Sequence, residues 1–206
     1  MAETDDHAAA IIRFAFEAGQ LKMLPRAGWL LAGIVNPESV AEHSFRVAVL
    51  AYAIASAEGA DPERTACLGL FHDFPETRTG DIPSVGRPYL RTAAPLTVIE
   101  DQVSGLPASL AAHIAALVSE HESAKNTDAT IEARCSRDAD KLECLLQACE
   151  YRARGNTLMQ PWIDSMAAAV TTRTGTTLAK AAQDLSPSIW WDELAAAFGA
   201  PPGGRV

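Results

Sequence analysis

The stretch 128–154 constrains this fold more than any other part of the sequence. It reads as one long helix stopped by Gly155, and its length sets the scale of whatever packs beside it. Asp140 lies in its middle, far from either cap. A carboxylate buried there without a partner is expensive, so it calls for a cation or a hydrogen-bonding site. The rest of the chain reads the same way. Alanine and leucine dominate, no segment sustains strand alternation, and 48% of the 206 residues are hydrophobic. The expectation is an all-α, compact helical bundle forming a single domain over residues 1–206.

Punctuation along the chain supports this. A first helix is expected over 6–22, with Ile11, Ile12, Phe14, Ala15 and Leu21 on its apolar face, broken at Pro25. Ser39 with Glu42 three residues on forms a capping box for a helix over 39–58, which Gly59 stops. Asp61-Pro62 opens the next, expected to reach residue 74. Residues 75–91 hold three prolines and two glycines and read as a structured loop, with Arg78, Arg87 and Arg91 on a solvated face. Further helices are expected over 95–103, 107–121, 160–170, 176–184 and 187–198, with a disordered tail over 199–206.

The formal charge of -9 disfavours nucleic acid as a partner, because affinity for a phosphate backbone rests on clustered Lys and Arg. It leaves room for a mononucleotide, which needs only one basic pocket or a metal. The acidic N-terminus, with Glu3, Asp5 and Asp6, is not a signal peptide. No run approaches the ~18 apolar residues of a membrane span, so a cytoplasmic protein without membrane contact is expected. Cys67, Cys135, Cys144 and Cys149 form no CxxC pair and read as buried free thiols. Signatures of P-loops, dinucleotide folds, common zinc proteases and serine hydrolases are absent.

Chemistry gathers at a few residues placed where they are costly. His43 lies in the first turn of a helix otherwise built to be buried, His72-Asp73 ends the most apolar helix, and Asp140 sits as described. Two imidazoles and two carboxylates make a mixed N/O set suited to one divalent ion such as Mn, Co, Mg, Zn or Fe. Adjacent helical residues point about 100° apart, so His72 and Asp73 can share an ion only at the helix end, where the sequence puts them. Glu76 and Asp81 follow beside any open position. Glu76 is the candidate general acid/base, and Asp81 would either orient water or contact a sugar hydroxyl. Arg26 is the candidate phosphate ligand and Trp29 a stacking surface for base or sugar. His7, His113 and His121 read as surface or helix-face residues.

In this order, His43, then His72-Asp73, then Asp140, the residues resemble the HD-domain metal-dependent phosphohydrolases. The segments Leu24-Pro-Arg-Ala-Gly-Trp29, Pro37 to Ser44, His72 to Glu76, Thr79 to Pro83 and Asp140 to Tyr151 resemble the 5′-deoxynucleotidase branch. The resemblance covers residues 10–155. It implies a bundle of the HD-domain type, often a homodimer, that hydrolyses the 5′-phosphate of a deoxynucleoside monophosphate. It assigns the metal roles to His43, His72, Asp73 and Asp140, acid/base catalysis to Glu76, a supporting role near the sugar to Asp81, and phosphate to Arg26. In some relatives Arg and Trp are adjacent, whereas here Ala27 and Gly28 separate them. Two alternatives keep part of this pattern: an HD-type nucleoside triphosphate hydrolase, and a non-catalytic helical module with a structural metal.

Overall fold

The computed structural model describes residues 2–199, with side chains from residue 6 onward; residues 200–206 of the expected tail lie outside the described residues. Among these residues the chain is all-helical, with a single isolated antiparallel bridge between Pro25 and Ser39. In chain order, α1 (Ala2–Ala18) runs into a 3-10 turn (Gly19–Lys22), followed by the short α2 (Ala27–Leu31), α3 (Val40–Glu58) and α4 (Pro62–Phe71). The one-turn α5 (Glu76–Thr79) precedes α6 (Pro95–Val103), α7 (Ala108–Glu122) and the long α8 (Ile131–Ala153). Then come α9 (Gln160–Ala169), α10 (Arg173–Asp184) and α11 (Ile189–Ala197).

The caps explain most boundaries. Ser39 accepts from the Glu42 N–H while the Glu42 carboxylate takes the Ser39 N–H, the reciprocal box expected at the start of α3. Asp61 accepts from the Arg64 N–H with Pro62 in the first turn of α4. That helix ends at Phe71, three residues before the expected stop. The chain then turns at residues 72–75, so His72 and Asp73 lie just past the helix. α8 is capped by Thr130, whose side chain accepts from the Ala133 N–H. α10 starts three residues earlier than expected, because Thr172 caps it and the buried Asp138 of α8 accepts from the Thr171 and Thr172 N–H groups.

α3 and α8 form the centre of the fold, α3 packing on both α4 and α8. One apolar cluster joins Val47, Ala51 and Ile54 of α3 to Leu142, Leu145 and Ala148 of α8 and to Met159 and Ile163. A second joins Val40 at the start of α3 to Phe74, Ile99, Val103, Ile114 and Val118. His43 therefore falls where one core gives way to the other.

α1 departs from expectation. Ile11, Ile12 and Ala15 are exposed, and the line Ala10, Phe14, Ala18 faces inward instead, with Phe14 stacked on Phe74 at 4.5 Å between centroids. The helix lies at the edge, where only a narrow stripe meets a neighbour. Leu21 is buried as expected. Cys135, Cys144 and Cys149 are buried, but Cys67 is exposed on the outer side of α4. No helix among the described residues is long and apolar enough to cross a membrane.

Candidate functional site

His43 projects from the first turn of α3 and is fully buried. Its Nδ1 meets a Glu143 carboxylate oxygen of α8. Glu143 is held in turn by Arg46, which donates from Nε at 2.9 Å and also reaches Gln147 and Glu150. A carboxylate there accepts from Nδ1–H, so the neutral ring presents its lone pair at Nε2. That Nε2 has no well-formed hydrogen bond; the nearest carboxylate oxygens are Asp140 Oδ1 at 3.4 Å and Asp73 Oδ2 at 3.7 Å.

His72 is arranged alike. The Gly69 carbonyl oxygen lies 2.7 Å from Nδ1, and the buried Nε2 makes no well-formed hydrogen bond, with Asp73 Oδ2 at 3.1 Å. Two buried, unpartnered imidazole nitrogens thus face the carboxylates of Asp73 and Asp140. Such orphaned groups are costly in a protein interior, and a divalent cation would satisfy His43, His72 and Asp73, whose ligand atoms lie within 4.8 Å of one another, with Asp140 Oδ1 alongside His43. Burial alone would lower the His43 pKa, but Glu143 and Asp140 outweigh it and raise the imidazole to about 9. Burial would raise the Asp73 carboxyl, yet His72, Arg26 and His43 hold it well below the usual range. Asp140 is held low in the same way by Lys141 and His43. The field favours positive charge here, whether on a ring or on a bound ion.

Arg26 is brought over this cluster by the 25–39 bridge: the Arg26 N–H donates to the Glu38 carbonyl at 3.0 Å and the Val40 N–H to the Leu24 carbonyl at 2.9 Å. Its Nη1 donates to Asp73 at 3.1 Å and lies 3.7 Å from Asp81. Asp81 accepts from the Ala27 N–H at 2.8 Å, closing the start of α2 onto the loop. Gly80 makes that return possible with φ 77, a conformation that favours glycine. Glu76 opens α5 beside His72 and Asp73 and has a buried oxygen, Oε2, without a partner. Burial, reinforced by the charges of Asp73 and Asp81, raises its carboxyl to about 9 and so favours the protonated acid. His72, Asp73 and Glu76 line one cavity of about 330 Å³.

Trp29 corrects an expectation. Its ring is 3% exposed, set against Tyr151 and Trp162 in the larger core, with Nε1 donating to Glu38 at 2.9 Å. No face is left to stack on a base or sugar. With two residues between Arg26 and Trp29, the short α2 turns the ring away from the arginine and into the core. His121 is a second correction. It is buried behind His72, with ring centroids 4.8 Å apart and Nδ1 2.8 Å from Ser136 Oγ. Burial, then the charge on His72, lowers its pKa to about 3 and keeps it neutral. His7 and His113 are exposed as expected. Sequence reasoning also passed over Glu143. The one available signal was its spacing, three residues past Asp140 and hence on the same face of α8.

Residues 18–184 match the HD domain family. The chain is 32% identical over 163 residues to a 5′-deoxynucleotidase of Mus musculus, spanning 77% of this chain and 79% of that one. It is 33% identical over 153 residues to a 5′-deoxynucleotidase of Schizosaccharomyces pombe, spanning 71% and 75%. A solved structure described as a predicted metal-dependent phosphohydrolase, from Magnetospirillum magnetotacticum, superposes with a TM-score of 0.65 at 27% identity, over 88% of this chain and 100% of that one.

Proposed function

The chain belongs to the HD-domain family, and from that premise we propose that it is a metal-dependent phosphoric monoester hydrolase that removes the 5′-phosphate of deoxynucleoside monophosphates or a similar small phosphate ester. One observation carries this reading: the unpartnered Nε2 atoms of His43 and His72 converge with Asp73 and Asp140 beside the buried, unpartnered Oε2 of Glu76. His43, His72, Asp73 and Asp140 would hold one divalent ion, and that ion, when bound, would polarise the phosphoryl group and ease attack by water.

The remaining work falls to the protein. Glu143 and the Gly69 carbonyl keep the two imidazoles in the orientation that presents Nε2. Arg26, aimed at the same space by the bridge, would bind phosphate oxygens with its fork. In hydrolysis a P–O bond forms to water as the bond to O5′ breaks, and a proton must reach the departing oxygen. Glu76, whose carboxyl burial raises, is the group placed to supply it, and the proton that the attacking water loses restores the acid. Asp81 would support from the Ala27 side, near the sugar.

Nucleoside mono-, di- and triphosphates, each tested with Mn, Co, Mg, Zn and Fe, should yield inorganic phosphate from the monophosphates. Release of pyrophosphate or triphosphate would overturn the reading. Glu76→Ala should abolish turnover while metal and nucleotide still bind, and near-normal turnover would remove Glu76 from this role.

A homodimer acting in the cytoplasm completes the proposal. The outward face of α3 carries Phe45, Val49 and Tyr52 at helical spacing, all half exposed or more, as a second copy would require. Sedimentation at micromolar concentration should show twice the chain mass. A monomer there would dismiss the pairing.

A further inference from the structure

Resting on the monoesterase reading, we infer that Glu17 of α1 is a positioning residue for Glu76, fastening from behind the one-turn helix that carries it. α5 has little of its own to stay in place. A helix of four residues does not persist by its backbone hydrogen bonds, and none of its residues is fully buried. Glu76 also keeps an unpartnered oxygen out of water, and a carboxyl in that state gains by swinging into solvent. A tether outside α5 must resist that swing.

α1 meets the segment on both sides of Glu76. Before it, Phe74 stacks on Phe14. After it, the carboxylate of Glu17, three residues past Phe14 and on the same face of α1, gathers Thr77 and Arg78. Glu17 Oε1 accepts from Thr77 Oγ1 at 3.0 Å and from Arg78 Nε at 2.7 Å, and Oε2 accepts from Arg78 Nη2 at 3.1 Å. Gln102 of α6, itself buried, donates to the same Oε1 at 2.8 Å and to Thr77 Oγ1 at 2.7 Å. Arg78 therefore does not sit on a solvated loop face as expected; it forks onto Glu17 and reaches Asp101 of α6 through Nη1. A carboxylate offers about four acceptor sites, and these donors occupy them. Arg78 holds the Glu17 carboxyl below its usual range against the opposing effect of burial, so the acceptor is charged at neutral pH. Neither Glu17, Thr77 nor Gln102 lines the cavity beside His72 and Asp73, so the clamp acts on Glu76 and not on bound substrate.

The test compares wild type with Glu17→Ala, Thr77→Val and the double variant, using the metal that best supports wild-type turnover. It reads kcat and KM for thymidine 5′-monophosphate, metal affinity by titration calorimetry, and circular dichroism melts, with assays held well below each melting point. Glu17→Ala should lower kcat about tenfold, inside the hundredfold that a 1 Å misplacement can cost. KM and metal affinity should stay within about twofold, a split that a general loosening of the fold would not give. Thr77→Val, which keeps the shape of the side chain, should lower kcat less, and the double variant should be no slower than Glu17→Ala, because both cut one link. If Glu17→Ala does not fold, Thr77→Val carries the test on the same split. A wild-type kcat in the folded variants, or a fall in kcat matched by losses in KM and metal affinity, overturns the positioning role and leaves the monoesterase reading standing. If the wild type cleaves no monophosphate with any of the metals, both are overturned.

Discussion

His43 shows how much of a site can sit behind its visible residues. The ring presents Nε2 because its Nδ1–H donates to Glu143, and Glu143 is held by Arg46. Outer partners of this kind typically contribute about 10–100-fold in metal affinity. Glu143→Gln keeps the shape but removes the charge that pairs with both His43 and Arg46, so titration calorimetry with Mn or Zn should show weaker binding by roughly that factor. An unchanged affinity would mean that the ring is held by packing alone. Neither Glu143 nor His121 was marked as functional by the sequence. Each belongs to a helix that carries many other polar residues, and its partner lies far off in the chain: 100 residues for Glu143 and His43, with His121 set behind His72.

Among the elements, those with a local stop or start were legible. The Ser39–Glu42 box, the Asp61-Pro62 opening and Pro95 each set a boundary through neighbouring residues alone. The start of α10 was not legible, because its cap is partly borrowed: Asp138 of α8 accepts from the Thr171 and Thr172 N–H groups. The junction is also tight, since a Cβ at Gly175 would lie 2.6 Å from Asp138 Oδ2 and 2.9 Å from Thr172 Oγ1. Gly175→Ala should therefore destabilise the fold by about 1–3 kcal/mol, as overpacking does. Urea denaturation reads this as a lower midpoint at unchanged slope. A wild-type midpoint would show that the junction yields freely.

For the molecule as a whole, the four candidate ligands tie α3, the end of α4 and α8 together across the boundary between the two apolar clusters. A cation bound only by the folded chain stabilises it by mass action, about 2.7 kcal/mol at a hundredfold excess over Kd. For a chain of this length that is roughly 5–10 °C in Tm. Chelator treatment should lower Tm by that order and a divalent ion should restore it; an unmoved Tm would argue against a site spanning these helices. What the sequence by itself determined was local: which of the longer segments are helical, though not the short α2 and α5, where most of them stop, and that His43, His72, Asp73 and Asp140 are costly without a common partner. Those follow from period, caps and burial cost, all read within a few turns. The tertiary structure alone decided which of the costly groups face one another. It set Glu143 behind His43, His121 behind His72 and Trp29 in the core, because the crossing of α3 and α8 and the closing of the 25–39 bridge depend on packing between segments that no local pattern relates.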